Sequence, residues 1–192
     1  MQRLDTASVG RFAQSWSPDG RTLVFLEENL SDWDLWTFSP DSKSEPQPWL
    51  RTPFAEWSAA FSPDGQWLAY VSDESGSTEV YVRRFRGAGE KLQISTDGGT
   101  EPMWAHSGRE LFYRTGDKMM AVSVESGPPL RVGKPRLLFD GPYEASPGEN
   151  ANYDVAPGDQ RFLMVEREQK PPLTHLDLLL DWPDLHATPS KW

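Results

Sequence analysis

The chain has 192 residues, which is enough for one domain with a buried core. Its formal net charge of -10 argues against binding to a nucleic-acid backbone or an anionic membrane surface, because both need clustered lysine and arginine. The sequence has no cysteine, which excludes disulfides, and no apolar run long enough to predict a membrane span. Its first ten residues do not predict a signal peptide, and nothing in the sequence indicates a compartment.

A repeated turn sequence marks the first half of the chain. "SWSPDG" at 15–20 recurs as "AFSPDG" at 60–65, and this offset of 45 residues aligns the segments that follow without a gap. Ser, Pro, Asp and Gly suit the four positions of a type I turn, so we interpret the motif as the link between two strands. A metal- or anion-binding loop is the alternative interpretation, but such a site is normally built once, whereas this turn recurs.

Two weaker copies of the repeat follow. In the third copy Trp104 takes the aromatic position and "AHSG" at 105–108 takes the turn; in the fourth the turn is "APGD" at 156–159, with Gly and Asp exchanged. A period of about 40–45 residues is also found in helical repeats. Those repeats need amphipathic helices of about ten residues or more, whereas the apolar runs here are short, rich in aromatic residues and bounded by Pro, Gly, Asp and Ser. The pattern therefore predicts propeller blades.

The predicted fold class is all-β, a β-propeller of about four blades, each a four-stranded antiparallel sheet. Residues 1–182 are predicted to form one domain, with 183–192 as a C-terminal tail. An N-terminal strand at 2–8 is predicted to complete the last blade, which removes exposed strand edges. A closed monomer is favoured; a two-chain ring of eight blades and a piece of a larger ring are the alternatives. The predicted blades lie at about 12–52, 57–97, 100–140 and 150–182.

The repeats resemble those of a known family. Residues 13–36 and 58–82 are similar to TolB-like propeller repeats, which begin with an aromatic residue and Ser-Pro-Asp-Gly and continue with an apolar strand and an acidic loop. Residues 108–124, 133–144 and 152–166 resemble the C-terminal propeller region of bacterial signalling proteins with an N-terminal serine/threonine kinase or DNA-binding domain. The resemblance implies the sensory or interaction part of such a protein, or a stand-alone relative. Because the sequence contains no kinase motif, kinase activity is not assigned to the chain.

The mouth of the central channel, where the chain enters the first strand of each blade, is the predicted site for a ligand or partner. A mixture of charged, aromatic and amide groups there suits a peptide or a small polar ligand. In the alternative interpretation the rings pack between blades and the charges are merely solvated. The predicted site residues are Arg11, Phe12, Glu56, Trp57, Glu101 and Asn152.

Metal sites and catalytic groups are not indicated strongly anywhere in the sequence. The three histidines are isolated from one another, so a zinc site is not predicted. Carboxylates in the segments 31–34, 72–75 and 95–99 form a weak calcium pattern without the spacing of a calcium loop. Asp34 and Glu79 occupy equivalent positions, and we expect them to brace the adjacent loops through backbone N–H groups.

The sequence therefore predicts a non-catalytic β-propeller module for protein interaction or ligand sensing, with no cofactor. A protein or peptide partner is expected, and neither nucleic-acid binding nor membrane insertion is expected. The alternative is a propeller hydrolase or lyase with a metal or ligand site in the central channel.

Overall fold

The computed structural model describes residues 10–29, 32–42, 44–87, 89, 91–125, 127, 129–146 and 150–168. The predicted N-terminal strand at 2–8, the end of the predicted fourth blade and the tail at 183–192 lie outside these residues. Within the described part of the chain, no helix is long and apolar enough to cross a membrane.

The described residues are organised as β-strands joined by turns and loops, which confirms the predicted all-β class. The strands are β1 Gly10–Trp16, β2 Leu23–Glu28, β3 Trp33–Phe38, β4 Gln47–Leu50, β5 Glu56–Phe61, β6 Trp67–Ser72, β7 Glu79–Arg84, β8 Lys91–Gln93, β9 Thr100–Trp104, β10 Glu110–Thr115, β11 Lys118–Glu125, β12 Arg131–Val132, β13 Arg136–Asp140, β14 Tyr153–Val155 and β15 Phe162–Met164.

Four antiparallel sheets follow one another along the chain. The first two have four strands each, in the orders β1-β2-β3-β4 and β5-β6-β7-β8. In the third sheet β9, β10 and β11 are neighbours, and β12 and β13 both pair with β11. These two short strands share the outer position, because residues 133–135 interrupt a single run that lies antiparallel to β11. The fourth sheet is described as the pair β14-β15.

The Ser-Pro-Asp-Gly turns join the first and second strands of the first two sheets, as the sequence predicts. In the second copy Ser62 Oγ donates to Asp64 Oδ1 at 2.5 Å and accepts from the Trp67 amide at 3.0 Å. The Gly65 amide donates to the Ser62 carbonyl at 2.8 Å, and its φ of 69° is one that glycine adopts without strain. The first copy, at 17–20, repeats this arrangement, which identifies the motif as a structural turn.

Asp159 of the fourth turn, which stands after the glycine and not before it, braces the third turn. Asp159 accepts hydrogen bonds from the amides of His106 at 2.7 Å and Ser107 at 3.0 Å. The third turn has no aspartate of its own, so a carboxylate from the next sheet supplies the missing acceptor. The two turns are thereby joined across 53 residues of sequence.

Hydrophobic clusters lie between successive sheets. Leu26, Leu35 and Tyr70 belong to the cluster between the first and second sheets. Val71 and Leu111 belong to the next cluster, and a third joins the third and fourth sheets. Burying one large apolar side chain contributes about 1.5–3 kcal/mol, so these clusters hold the sheets face to face.

Candidate functional site

The upper face of the stack is the end at which β1, β5 and β9 begin and at which the β2–β3 and β6–β7 connections lie. The antiparallel registers bring these positions together, because Arg11 pairs with Glu27 and Glu27 with Asp34. In the second sheet Glu56 pairs with Ser72 in the same way. The predicted site residues in β1, β5 and β9 therefore lie at or near this one face.

Arg11 is held within its own sheet. Its Nε and Nη2 donate to Glu27 Oε2 at 2.9 and 2.8 Å, and its guanidinium lies 5.7 Å from the ring centroid of Phe25. Both charges of the pair are largely buried. Phe12, the next residue of β1, is 36% exposed.

Glu56 is almost completely buried, at 1% exposure. Its Oε1 accepts a hydrogen bond from the Thr52 hydroxyl, whereas its Oε2 is buried without a hydrogen-bond partner. Burial raises the pKa of Glu56 to about 7. The Thr52 hydrogen bond lowers the pKa and so opposes this rise, whereas the negative charges of Asp34 and Asp32 add to it.

Asp34 is a second buried carboxylate with one oxygen that has no partner. Its Oδ2 accepts from Asn29 Nδ2 at 2.9 Å and lies 3.5 Å from Arg51 Nε, while Oδ1 has no hydrogen bond. Burial raises the pKa of Asp34, and the positive charge of Arg51 opposes the rise. Asp34 therefore contacts the adjacent loop through the side-chain amide of Asn29, and among the described residues no backbone N–H donates to it.

Glu79 makes the expected loop brace. Its Oε1 accepts from the Gly98 amide at 3.0 Å and from the Ser77 hydroxyl at 3.2 Å, and Ser95 Oγ donates to Oε2. Both carboxylate oxygens are therefore satisfied, and the prediction for Glu79 is confirmed.

Glu101 and Asn152 meet across the third and fourth sheets. Glu101 Oε2 accepts from the Asn152 amide at 2.8 Å, and Oε1 accepts from the Ser146 amide at 3.1 Å. The Glu101 carbonyl accepts from the Tyr153 hydroxyl at 2.9 Å. Glu101 therefore fixes the loop that leads into β14.

Glu101 and Glu56 do not occupy equivalent places in their sheets. Glu101 lies in a register shift of β9 at φ 55°, and the matching position in β5 is Ser58, at φ 53°. The offset of 43 residues from Phe61 to Trp104 carries this signal in the sequence.

A cleft at the upper face lies between the first and second sheets and has a volume of about 410 Å³. The rings of Trp33 and Trp57 meet edge to face, with centroids 5.7 Å apart and an interplanar angle of 81°. Trp57 is the only one of the six predicted site residues among the described residues that line the cleft, so the sequence missed most of it. The residues lining the cleft are Glu28, Asn29, Asp32, Trp33, Ala55, Trp57, Asp73 and Thr78.

A second cavity of about 480 Å³ runs beside the first strands β1, β5 and β9. Side chains of the neighbouring sheets form hydrogen bonds to the backbone of β5. The Ala59 amide donates to Gln14 Oε1 at 3.1 Å, and Trp104 Nε1 donates to the Ala60 carbonyl at 3.0 Å. None of the six predicted site residues is among the described residues that line this cavity.

Metal ligands are not grouped in the described part of the chain, where no three His, Cys, Asp or Glu side chains are placed to hold an ion together. Calcium binding stays a prediction from the sequence.

No protein-family model matches the chain. An uncharacterised protein of Agrobacterium fabrum is 25% identical over 127 residues, which cover 65% of this chain and 40% of that protein. A solved structure of a putative TolB from Agrobacterium tumefaciens matches with a TM-score of 0.55 and 19% identity over 70% of this chain and 51% of the other. TolB from Acinetobacter baumannii matches with a TM-score of 0.61 and 16% identity over 85% of this chain and 39% of the other.

The chain thus spans about half or less of the length of the proteins that it matches. The stacked antiparallel sheets agree with the architecture of these structural neighbours. The predicted fold is therefore confirmed: the chain is a β-propeller with a TolB-like fold.

Proposed function

We propose that this chain is a non-catalytic propeller module that binds a protein or peptide partner through its upper face. The observation that carries the proposal is that three charged side chains of this face are held in internal contacts, whereas two aromatic rings are exposed. Arg11, Glu56 and Glu101 form hydrogen bonds within the protein. Phe12 is 36% exposed, and Phe54, in the connection before β5, is 42% exposed.

The rigid loops and exposed rings suit recognition better than catalysis. Aromatic residues are enriched in protein interfaces, and covering an exposed ring removes apolar surface from water. Loops that are already fixed by buried carboxylates lose little further conformational entropy on binding. Of the six predicted site residues, Phe12 and Trp57 are the contact residues in this proposal, and the other four position the surface.

We also propose that the chain belongs with TolB-like proteins that serve bacterial signalling. The resemblance of residues 108–124, 133–144 and 152–166 to propellers linked to kinase or DNA-binding domains supports this assignment. The TolB-like fold and the partial coverage of longer relatives agree with a module that works beside other domains.

Site-specific photo-crosslinking tests the upper face. A photoreactive phenylalanine analogue placed at position 12 or 54 is expected to capture a defined protein from lysate of the source cells. Trp16 is the matched control, since it is 50% exposed at the opposite end of the same strand. Equal capture from position 16, or none from 12 and 54, contradicts the proposal.

An enzyme assay separates the module from a propeller hydrolase or lyase. The proposal expects no turnover of esters, lactones or peptides. Turnover that is lost on Glu56→Gln or Glu101→Gln substitution would overturn the non-catalytic assignment, and stoichiometric metal in elemental analysis would favour the enzyme.

A further inference from the structure

We infer that the cleft lined by Trp33 and Trp57 binds a cationic side chain, lysine or arginine, of a protein partner. The inference names the chemistry of the partner at the upper face, and it therefore rests on the proposed function. It is carried by the shape of the cleft, by the charges on its wall and by two buried carboxylates next to it.

The shape and aromatic lining of the cleft suit an extended cationic side chain. Its volume of about 410 Å³ lies within the range of about 300–1,000 Å³ for small-ligand pockets. Trp33 and Trp57 both line it, and tryptophan is the strongest partner for an ammonium or guanidinium group held over a ring face. The aliphatic part of lysine or arginine can pack against the same rings.

Three carboxylates line the cleft, and two of them are fixed by the main chain. Asp32 Oδ1 accepts from the Trp33 amide, and Asp73 Oδ1 accepts from the Ala55 amide, both at 3.0 Å. Glu28, at the end of β2, is the third. Because the two aspartates are already oriented, a cation gains their attraction without paying to order them.

Two further acidic side chains, both buried, lie next to residues that line the cleft. Asn29, which lines the cleft, donates to Asp34, and this contact places the Asp34 carboxylate against the cleft wall. Glu56 is close enough to Asp34 and to Asp32, which lines the cleft, for their negative charges to raise its pKa. Asp34 Oδ1 and Glu56 Oε2 are both buried without a hydrogen-bond partner.

The negative charge at this end of the two sheets is poorly balanced. Arg51 lies against Asp34 at 3.5 Å, with most of its side chain exposed. Burial disfavours the ionised forms of Asp34 and Glu56, and an arriving cation would stabilise those ionised forms. The carboxylates at the cleft would therefore attract a basic group.

The lower face is the opposite end of the sheets, where the Ser-Pro-Asp-Gly turns lie, and its charges can be compared with those of the cleft. A cavity of about 570 Å³ between the same two sheets is lined by Asp19 and Asp64 and also by Arg84 and Arg86. Its acidic and basic groups balance, in contrast to the cleft. Of these two cavities between the first and second sheets, only the cleft has an excess of carboxylates.

Binding of a small peptide probe tests the inference. The blocked peptide acetyl-Gly-Arg-Gly-amide is titrated into the ¹⁵N-labelled protein, alongside the same peptide with neutral citrulline in place of arginine. We expect the arginine peptide to shift the indole N–H signals of Trp33 and Trp57 saturably, and the citrulline peptide to bind at least about tenfold more weakly. The affinity should fall with added salt, because the interaction is between charges.

Matched variants locate the site. The triple variant Glu28→Gln, Asp32→Asn, Asp73→Asn keeps a side-chain acceptor at each position and should bind the arginine peptide about tenfold or more weakly. The single variant Asp32→Asn should weaken it to a lesser extent and guards against a folding defect in the triple variant. The control Asp64→Asn, in the lower cavity, should bind like the wild type.

The outcomes separate this inference from the proposed function. Equal binding of the two peptides, or shifts away from Trp33 and Trp57, overturns the inference. Spermine binding at these indoles about tenfold more tightly than the arginine peptide also overturns it, since the site would then take free amines. Crosslinking from positions 12 and 54 is independent of these titrations, and its failure alone would overturn the proposed function.

Discussion

Buried carboxylates at the upper face differ in how many donors surround them. Glu79 and Glu101 have both oxygens satisfied and brace loops: Glu79 accepts from one backbone amide and two serine hydroxyls, and Glu101 accepts from two backbone amides. Asp34 and Glu56 each keep one oxygen without a partner. Charge alone does not distinguish these residues, since all are acids near strand starts; the number of donors within reach does.

Glu56 gives the stability of the protein a pH dependence. Its pKa in the folded protein, about 7, lies above the usual 4.5, so folding favours the protonated form. Its contribution is present in full below about pH 4.5 and is lost as the pH rises through about 7. The pKa difference corresponds to about 3 kcal/mol. Glu56→Gln should remove this dependence and make the protein more stable than the wild type at about pH 8.

Urea denaturation at about pH 5 and pH 8 measures this effect. The control is Glu125→Gln, a substitution of an exposed glutamate at the end of β11, which should keep the pH dependence of the wild type. An unchanged difference between the two pH values in Glu56→Gln would contradict the prediction.

Turns between first and second strands are the elements that the sequence identifies best. Ser17 and Ser62 make the same hydrogen bonds because every donor and acceptor is supplied within six residues. The third turn keeps only its glycine and depends on Asp159 from the fourth. Local chemistry thus determines the first two turns, whereas contact between sheets completes the third.

Asp159→Ala should loosen the third turn from a distance. The amides of His106 and Ser107 lose their acceptor, at an expected cost of about 1–2 kcal/mol. Hydrogen exchange at these two amides should become faster. Asp64→Ala, which removes the acceptor within the second turn, should leave exchange at His106 unchanged.

The carboxylate of Asp159 also predicts an effect of acid. Burial tends to raise the pKa of Asp159, but hydrogen bonds from the amides of Ser107 and His106 outweigh this effect and lower the pKa to about 2. The stabilisation is present above about pH 3.8 and is lost as the pH falls toward 2. Exchange at His106 and Ser107 that is indifferent to Asp159→Ala would refute the proposed link.

In the part of the chain that the structure describes, successive sheets pack face to face. Clusters between neighbouring sheets explain why aromatic residues are frequent, since Tyr70, Trp49 and Phe61 fill the space between two flat surfaces. The two solved neighbours cover far more sequence than this chain, which matches 51% and 39% of them.

Deletion of residues 1–9 tests the predicted closure. If residues 2–8 complete the last blade, their loss exposes a strand edge and should lower stability by several kcal/mol or cause aggregation. Light scattering of the intact chain should give the mass of a monomer. Unchanged stability after deletion argues against the closure, and a stable dimer favours the two-chain ring.

The sequence by itself determined the all-β class, the repeat and its turns, because these depend on residues close together in the chain. It also identified Glu79 as a loop brace, since the offset of 45 residues repeats an acid at the start of a third strand.

Only the tertiary structure decided what the acids and aromatic residues do. Glu56 and Glu101 are both acidic residues near the start of a first strand. Glu56 lacks a full set of hydrogen-bond donors, whereas Glu101 fixes a loop across two sheets. The cleft of Trp33 and Trp57 joins two sheets that meet only after folding. Burial, donor count and contact between sheets arise from packing, so no local pattern encodes them.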